Sequence, residues 1–206
     1  ATTQPVSQRR EPYIYEWKKR HRDKLELIEG EEPRKVIIGN SITHYWNDEE
    51  GRENGRNSWL KYMEPKGFFN LGCGWDMIEN VLWRVYHGEL DGYNADEVVL
   101  MIGTNNIGLS TDDDIVEGLH FLLKQIEIRQ PDAEIKVIGI LPRRDHEEIV
   151  KSLNEHISVM TGRNGWHFID VSEKLMKNGR IDEDLFSDGL HPNDNGYSLI
   201  APLIVN

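Results

Sequence analysis

"KVIIGNSITHYW" (residues 35–46) passes from apolar to small and polar within a few positions. Val36, Ile37 and Ile38 are consecutive and β-branched. Such a run wants burial on both faces, as in a central strand of a parallel sheet. Gly39, Asn40 and Ser41 then stop it. Ser41 has two readings: the first residue of a loop or helix cap, or a hydroxyl held out where a strand ends.

Four more runs of the same kind follow: "GFFNL" (67–71), "EVVLMI" (97–102), "IKVIGI" (135–140) and "WHFIDV" (166–171). Helical spacing fills the intervals between the later runs. Ile78, Val81, Leu82 and Val85 lie on one helix face. Ile115, Leu119, Leu122, Leu123 and Ile126 do the same behind Thr111 and three aspartates, which suit a helix N-terminus. Residues 146–160 and 194–205 predict two further helices. Near the start, Tyr13, Ile14, Trp17, Leu25 and Ile28 are interleaved with charge, which predicts a helix from Glu11 to Ile28 broken by Gly30 and Pro33. This alternation means an α/β fold with a parallel sheet covered by helices on both faces. Ligands of such sheets sit beyond the carboxyl ends of the strands. Ser41, Gly72 and Asn105 each follow a strand and fall along that edge. Residues 1–10 are polar and aperiodic, which predicts a flexible arm before a single domain over residues 11–206.

A chain of 206 residues with 38% hydrophobic and 29% charged content folds without disulfides or structural metal. The net charge of −12 argues against a nucleic-acid partner. Cys73 is the lone cysteine, and no zinc-type pairing of cysteine and histidine occurs, so no metal is expected. No phosphate-cradling glycine motif appears, which disfavours a nucleotide binder, and no apolar run approaches a membrane span. The chain starts at Ala1. It is secreted or periplasmic if a leader preceded that residue, and cytoplasmic otherwise.

The candidate chemistry lies at the two ends. In "LFSDGLHPNDNGY" (185–197), Asp188 and His191 are three apart across a glycine. A carboxylate so placed fixes the tautomer of an imidazole and supports its charged form. The bland reading is a turn leading into the last helix. A serine hydroxyl needs such a base to become a nucleophile. The order Ser41, Asp188, His191 is that of α/β-hydrolases, yet Gly39-Asn40-Ser41-Ile42-Thr43 is not their G-x-S-x-G elbow. An acyl-transfer site also needs donors for an oxyanion. Gly72 in "FNLGCG" and Asn105 in "MIGTNN" offer a backbone amide and a side-chain amide, or else a tight turn and an Asx-turn.

Together "IGNSIT" (38–43), "NLGCG" (70–74) with "ENVLWRVYHGEL" (79–90), "GTNN" (103–106) and "SDGLHPNDNGY" (187–197) resemble the SGNH hydrolases of the GDSL esterase and lipase group. "LPRR" (141–144) and the helix near Trp17 and His21 are similar to the platelet-activating-factor acetylhydrolase catalytic-subunit branch and its bacterial relatives. The resemblance spans about residues 11–201 and implies a flavodoxin-like three-layer α/β/α sandwich around a five-stranded parallel sheet. It implies Ser41 as nucleophile, His191 as base and Asp188 as its partner, with Ser41, Gly72 and Asn105 forming the oxyanion hole and no cofactor. Two positions depart from the pattern. Asn40 replaces the usual aspartate and keeps one acceptor oxygen. Trp75 stands where a second glycine is common, as an acyl-pocket wall, a sugar platform or a core residue. Asn40, Trp46 and Trp75 are therefore candidate pocket residues, and Trp59 is another candidate platform. The expected substrate is a small acyl ester, first an O-acetylated carbohydrate. An acetyl-phospholipid, a lysophospholipid or a thioester is the alternative within the family. A non-catalytic binding module on the same fold is the alternative from another class. A homodimer is compatible with this reading.

Overall fold

β1 (Lys35–Gly39), β2 (Phe68–Gly72), β3 (Glu97–Met101), β4 (Glu134–Ile138) and β5 (His167–Ile169) pair in the order β2-β1-β3-β4-β5. Every pairing is parallel. This is the flavodoxin-like order, with its switch point between β1 and β3. The computed structural model describes residues 1–10, 13, 15–47 and 54–206.

The continuous apolar runs are explained by a core on each face. Val36, Ile38, Val98 and Leu100 enter one core with Leu82, Leu119, Leu122 and Leu153. Ile37, Val99 and Met101 enter the other with Trp46, Trp59, Tyr197 and Ile200. Neighbouring strand residues point to opposite faces, so both must be apolar. The helices are α1 (Trp17–Glu31), α2 (Ser41–His44), α3 (Arg56–Ser58), α4 (Ile78–Tyr86), α5 (Asp112–Arg129), α6 (Glu147–Asn164), α7 (Ser172–Leu175) and α8 (Asp194–Val205). Buried side chains of α4, α5 and α6 face the first core, and those of α2 and α8 face the second. The Thr111 hydroxyl caps α5 by accepting the Asp114 amide at 3.2 Å, as its sequence predicts.

Register sets the site. Gly39 lies opposite Gly72 on β2 and Met101 on β3, so the three strands end level. Ser41, residues 73–76 and residues 102–105 therefore emerge at one edge.

Two expectations at the N-terminus need correction. The first helix begins at Trp17, not Glu11, and runs through Gly30 to Glu31. Residues 11, 12 and 14 of the expected span lie outside the described residues. The first ten residues are not a loose arm but lie along the domain. Thr2 is buried, and its hydroxyl donates to the Asp114 carbonyl at 2.5 Å. The Val6 amide donates to the Glu79 carbonyl at 3.0 Å, and Gln8 Nε2 donates to the Gly74 carbonyl at 2.8 Å. Such polar anchoring leaves no hydrophobic period to read.

Candidate active site

Ser41 is the first residue of α2, directly beyond β1. Asn40 caps that helix, its Oδ1 accepting the Ile42 amide at 3.0 Å. The single acceptor oxygen of asparagine is enough for this. Asn40 is buried, so it organises the turn and does not line a pocket. As a first-turn residue Ser41 has an amide with no helical acceptor. Its hydroxyl lies 2.9 Å from His191 Nε2.

His191 Nδ1 lies 2.7 Å from Asp188 Oδ2. Asp188 Oδ1 accepts the Leu190 amide at 2.9 Å and the His191 amide at 2.8 Å. Partial burial pushes the carboxyl up, but the bonds from the His191 amide and ring and the Leu190 amide prevail and hold it below its ordinary value. Gly189 permits this tight turn with φ of 81°, and a side chain there would meet the Arg144 guanidinium at 2.6 Å. Arg144 braces the turn by donating its amide to the Gly189 carbonyl at 2.9 Å while its guanidinium pairs with Glu183 at 2.6 Å. Behind the turn, Tyr197 of α8 donates its hydroxyl to the Ile42 carbonyl at 2.6 Å, tying the last helix to the serine helix. The Tyr45 ring packs 5.0 Å from the His191 ring.

The loop after β2 departs from expectation. The Gly72 amide donates to Asn70 Oδ1 at 2.8 Å, so it is already spent. A Cβ at Gly72 would lie 2.2 Å from the His44 backbone nitrogen, so the glycine is there to let β2 approach α2. Gly72 as an oxyanion donor is thereby corrected. The next amides are also held. The Cys73 amide donates to the Gly39 carbonyl at 3.0 Å, and the Gly74 amide to His44 Nδ1 at 3.1 Å and Tyr15 Oη at 3.2 Å. Trp75 has a left-handed backbone, φ 60°, and its amide donates to no acceptor among the described residues. A non-glycine residue held there is strained and persists only where its surroundings over-determine it. Asn105 supplies one clamp, its Nδ2 donating to the Asp76 carbonyl at 2.9 Å. The primary amide has two N–H groups, which leaves one for a substrate oxygen. Burial pushes the Cys73 thiol up to about 12, so it does not compete as a nucleophile.

A buried ionic cluster forms the other clamp. Arg84 is fully buried on α4. It donates to Asp76 Oδ2 at 2.8 Å, to the Leu71 carbonyl at 2.9 Å, to the Gly39 carbonyl at 3.1 Å and to Glu89. Trp17 Nε1 donates to Asp76 Oδ1 at 2.7 Å. Arg84 thus ties the ends of β1 and β2 to the loop. Arg84→Met keeps much of the volume but leaves Asp76 and Glu89 buried without their cation. The expected cost is roughly 3–5 kcal/mol of stability in urea unfolding. A loss below about 1 kcal/mol would mean the cluster relaxes into solvent instead.

The structure brings Ser41, His191 and Asp188 into one hydrogen-bonded line and sets Asn105 across the loop after β2. It does not bring Trp46 or Trp59 to the surface. Trp46 is wholly buried, stacked 4.8 Å from Tyr197 and 6.0 Å from Trp59, so both tryptophans are core residues and not sugar platforms. Trp75 is half-buried, 5.5 Å from the Tyr15 ring, with the Arg10 guanidinium 4.5 Å from its indole centre. Sequence reasoning missed Tyr15 and Arg143, the latter donating to the Thr104 carbonyl at 3.1 Å beside Asn105. "LPRR" was the one signal for Arg143; Tyr15 carries none.

A flavodoxin-like sheet with serine, histidine and aspartate aligned at its carboxyl edge defines the SGNH class of α/β proteins. The chain matches the GDSL-like lipase/acylhydrolase family over residues 37–199, and it belongs to that family. It is 28% identical over 191 residues to the platelet-activating factor acetylhydrolase IB subunit alpha1 of Homo sapiens, covering 90% of this chain and 79% of the relative. In fold it is similar to a GDSL-like lipase from Bacteroides thetaiotaomicron, with a TM-score of 0.75 at 18% identity over 92% of this chain and 95% of that one. A lipase/acylhydrolase from Enterococcus faecalis matches with a TM-score of 0.63 at 23% identity, over 84% and 93% of the two chains.

Proposed function

We propose that the protein is a serine esterase that removes short acyl groups, acetyl first, through an acyl-serine intermediate. The observation that carries this reading is the line Ser41 Oγ to His191 Nε2 at 2.9 Å and His191 Nδ1 to Asp188 at 2.7 Å. His191 takes the Ser41 proton as Oγ attacks the ester carbonyl, then gives it to the departing alcohol. Water repeats the sequence to free the acid. The Ser41 amide, the Trp75 amide and the second N–H of Asn105 receive the oxyanion, with Trp75 in the place expected of Gly72. The reading is tested by labelling with a fluorophosphonate and mapping the adduct: Ser41 is the expected residue, and an adduct elsewhere, or none, defeats it.

Asn105→Ala is expected to lower kcat by about 10²–10³ with little change in KM, because the oxyanion exists only in the transition state. A change confined to KM would make Asn105 a substrate-binding residue instead.

Acetyl as the acyl group is supported by the name of the mammalian relative, an acetylhydrolase. It is also supported by the Tyr45 ring packed against the base. An O-acetylated carbohydrate remains the first substrate, with Trp75 and Tyr15 as the aromatic surface; an acetyl-phospholipid is the second. Each added methylene gains about 0.8 kcal/mol in an apolar pocket, whereas forcing one into a filled site costs roughly 1–3 kcal/mol. On a common leaving group, kcat/KM is expected to fall about tenfold from acetyl to hexanoyl. A preference for octanoyl esters would refute the short-acyl reading. A binding module without catalysis has less support, since a hydroxyl and an imidazole in direct hydrogen bond serve no purpose in it.

A further inference from the structure

The acidic chain has a basic end. The first 24 residues carry seven of the 24 lysines and arginines and three of the 36 acids. The fold gathers five of these cations, Arg9, Arg10, Lys18, Lys19 and Arg22, around one cavity of about 460 Å³ between the N-terminal segment and the start of α1. Glu16 is the carboxylate on its wall. Lys19 pairs with Asp23 at 2.8 Å. Arg9, Lys18 and Arg22 pair with no carboxylate among the described residues. Other bases do find acids: Arg34 pairs with Asp96, Lys35 with Glu97 and Arg144 with Glu183. Five cations on one concavity, three of them with no carboxylate partner among the described residues, mark a site for negative charge.

The cavity adjoins the loop after β2. Tyr15, on its wall, accepts the Gly74 amide and lies 5.5 Å from the Trp75 ring. Arg10, also on the wall, is held over Trp75 at 4.5 Å. Ring contacts of 6.0, 5.3 and 5.0 Å lead from Tyr15 through His44 and Tyr45 to His191. The cavity thus borders Trp75, whose amide is one of the proposed oxyanion donors.

We infer that this cavity binds an anionic group, phosphate, sulfate or carboxylate, on the alcohol side of the ester, so that the enzyme selects acidic acyl esters. The inference rests on the esterase reading. The experiment compares p-nitrophenyl acetate with the acetyl ester of 4-hydroxybenzenesulfonate, in the wild type and in the triple variant Arg9→Gln, Lys18→Gln, Arg22→Gln. These side chains are exposed, so the variant folds. Comparing the two proteins cancels the esters' intrinsic reactivity. The ratio of kcat/KM, sulfonate over neutral, is expected to fall about tenfold in the variant and to fall in the wild type as salt is raised. A ratio unchanged within about twofold overturns the inference. So does an unchanged ratio with vesicles of anionic phosphatidylglycerol pelleting the wild type alone, which would make the patch a lipid-docking face. If the wild type hydrolyses neither ester, the esterase reading fails by itself. Inorganic phosphate titrated against tryptophan fluorescence then decides the cavity: saturable quenching lost in the variant upholds it, and no quenching overturns it.

Discussion

Ser41→Ala is expected to lower kcat on p-nitrophenyl acetate by about 10³-fold or more, because acyl-enzyme formation is lost while the oxyanion donors remain. The Ser41 hydroxyl meets His191 and takes no part in capping α2, which Asn40 does alone. Its removal leaves a small void and no unpaired buried donor. The unfolding free energy is therefore expected to change by no more than about 0.5 kcal/mol. Activity and stability thus separate, and a folded variant keeping a tenth of the activity would remove Ser41 from the mechanism.

His191→Ala has the second large effect, again about 10³-fold, with a signature in pH. In the wild type kcat/KM is expected to rise with pH, since only a neutral imidazole can accept the Ser41 proton. Asp188 adds no second limb there: its carboxyl is held below its ordinary value and is ionised throughout. The alanine variant should lose the limb together with the activity. Asp188→Asn should retain more, because the turn at Gly189 still places the ring. A profile unchanged in His191→Ala would put the base elsewhere.

The strands and the pairing of Asp188 with His191 were legible because their signals are local. Burial on both faces writes a β-branched run such as Val36-Ile37-Ile38, and Asp188-x-x-His191 closes within one turn. Gly72 misled because a glycine after a strand serves either close approach or a presented amide. Only the position of Asn70 Oδ1 and of the His44 backbone decides between them. Trp46 and Trp59 misled similarly, since an indole near the nucleophile in sequence lies as readily beneath it as beside it. The N-terminal segment was missed because its anchors are single polar contacts from Thr2, Val6 and Gln8, which follow no period.

The bond between Ser41 and His191 joins positions 150 residues apart, and Tyr197 locks the same two regions together from beneath. Contacts of such long sequence separation form late, because the loop must close before they repay its entropy. On a ribosome, β1, the loop after β2 and β3 emerge first, and Ser41 is made before His191. On the proposed mechanism a nascent chain is therefore chemically silent until its last helix docks. The same geometry makes α8 a point of vulnerability: a protease that clips near residue 190 would leave most of the sheet standing and the serine idle.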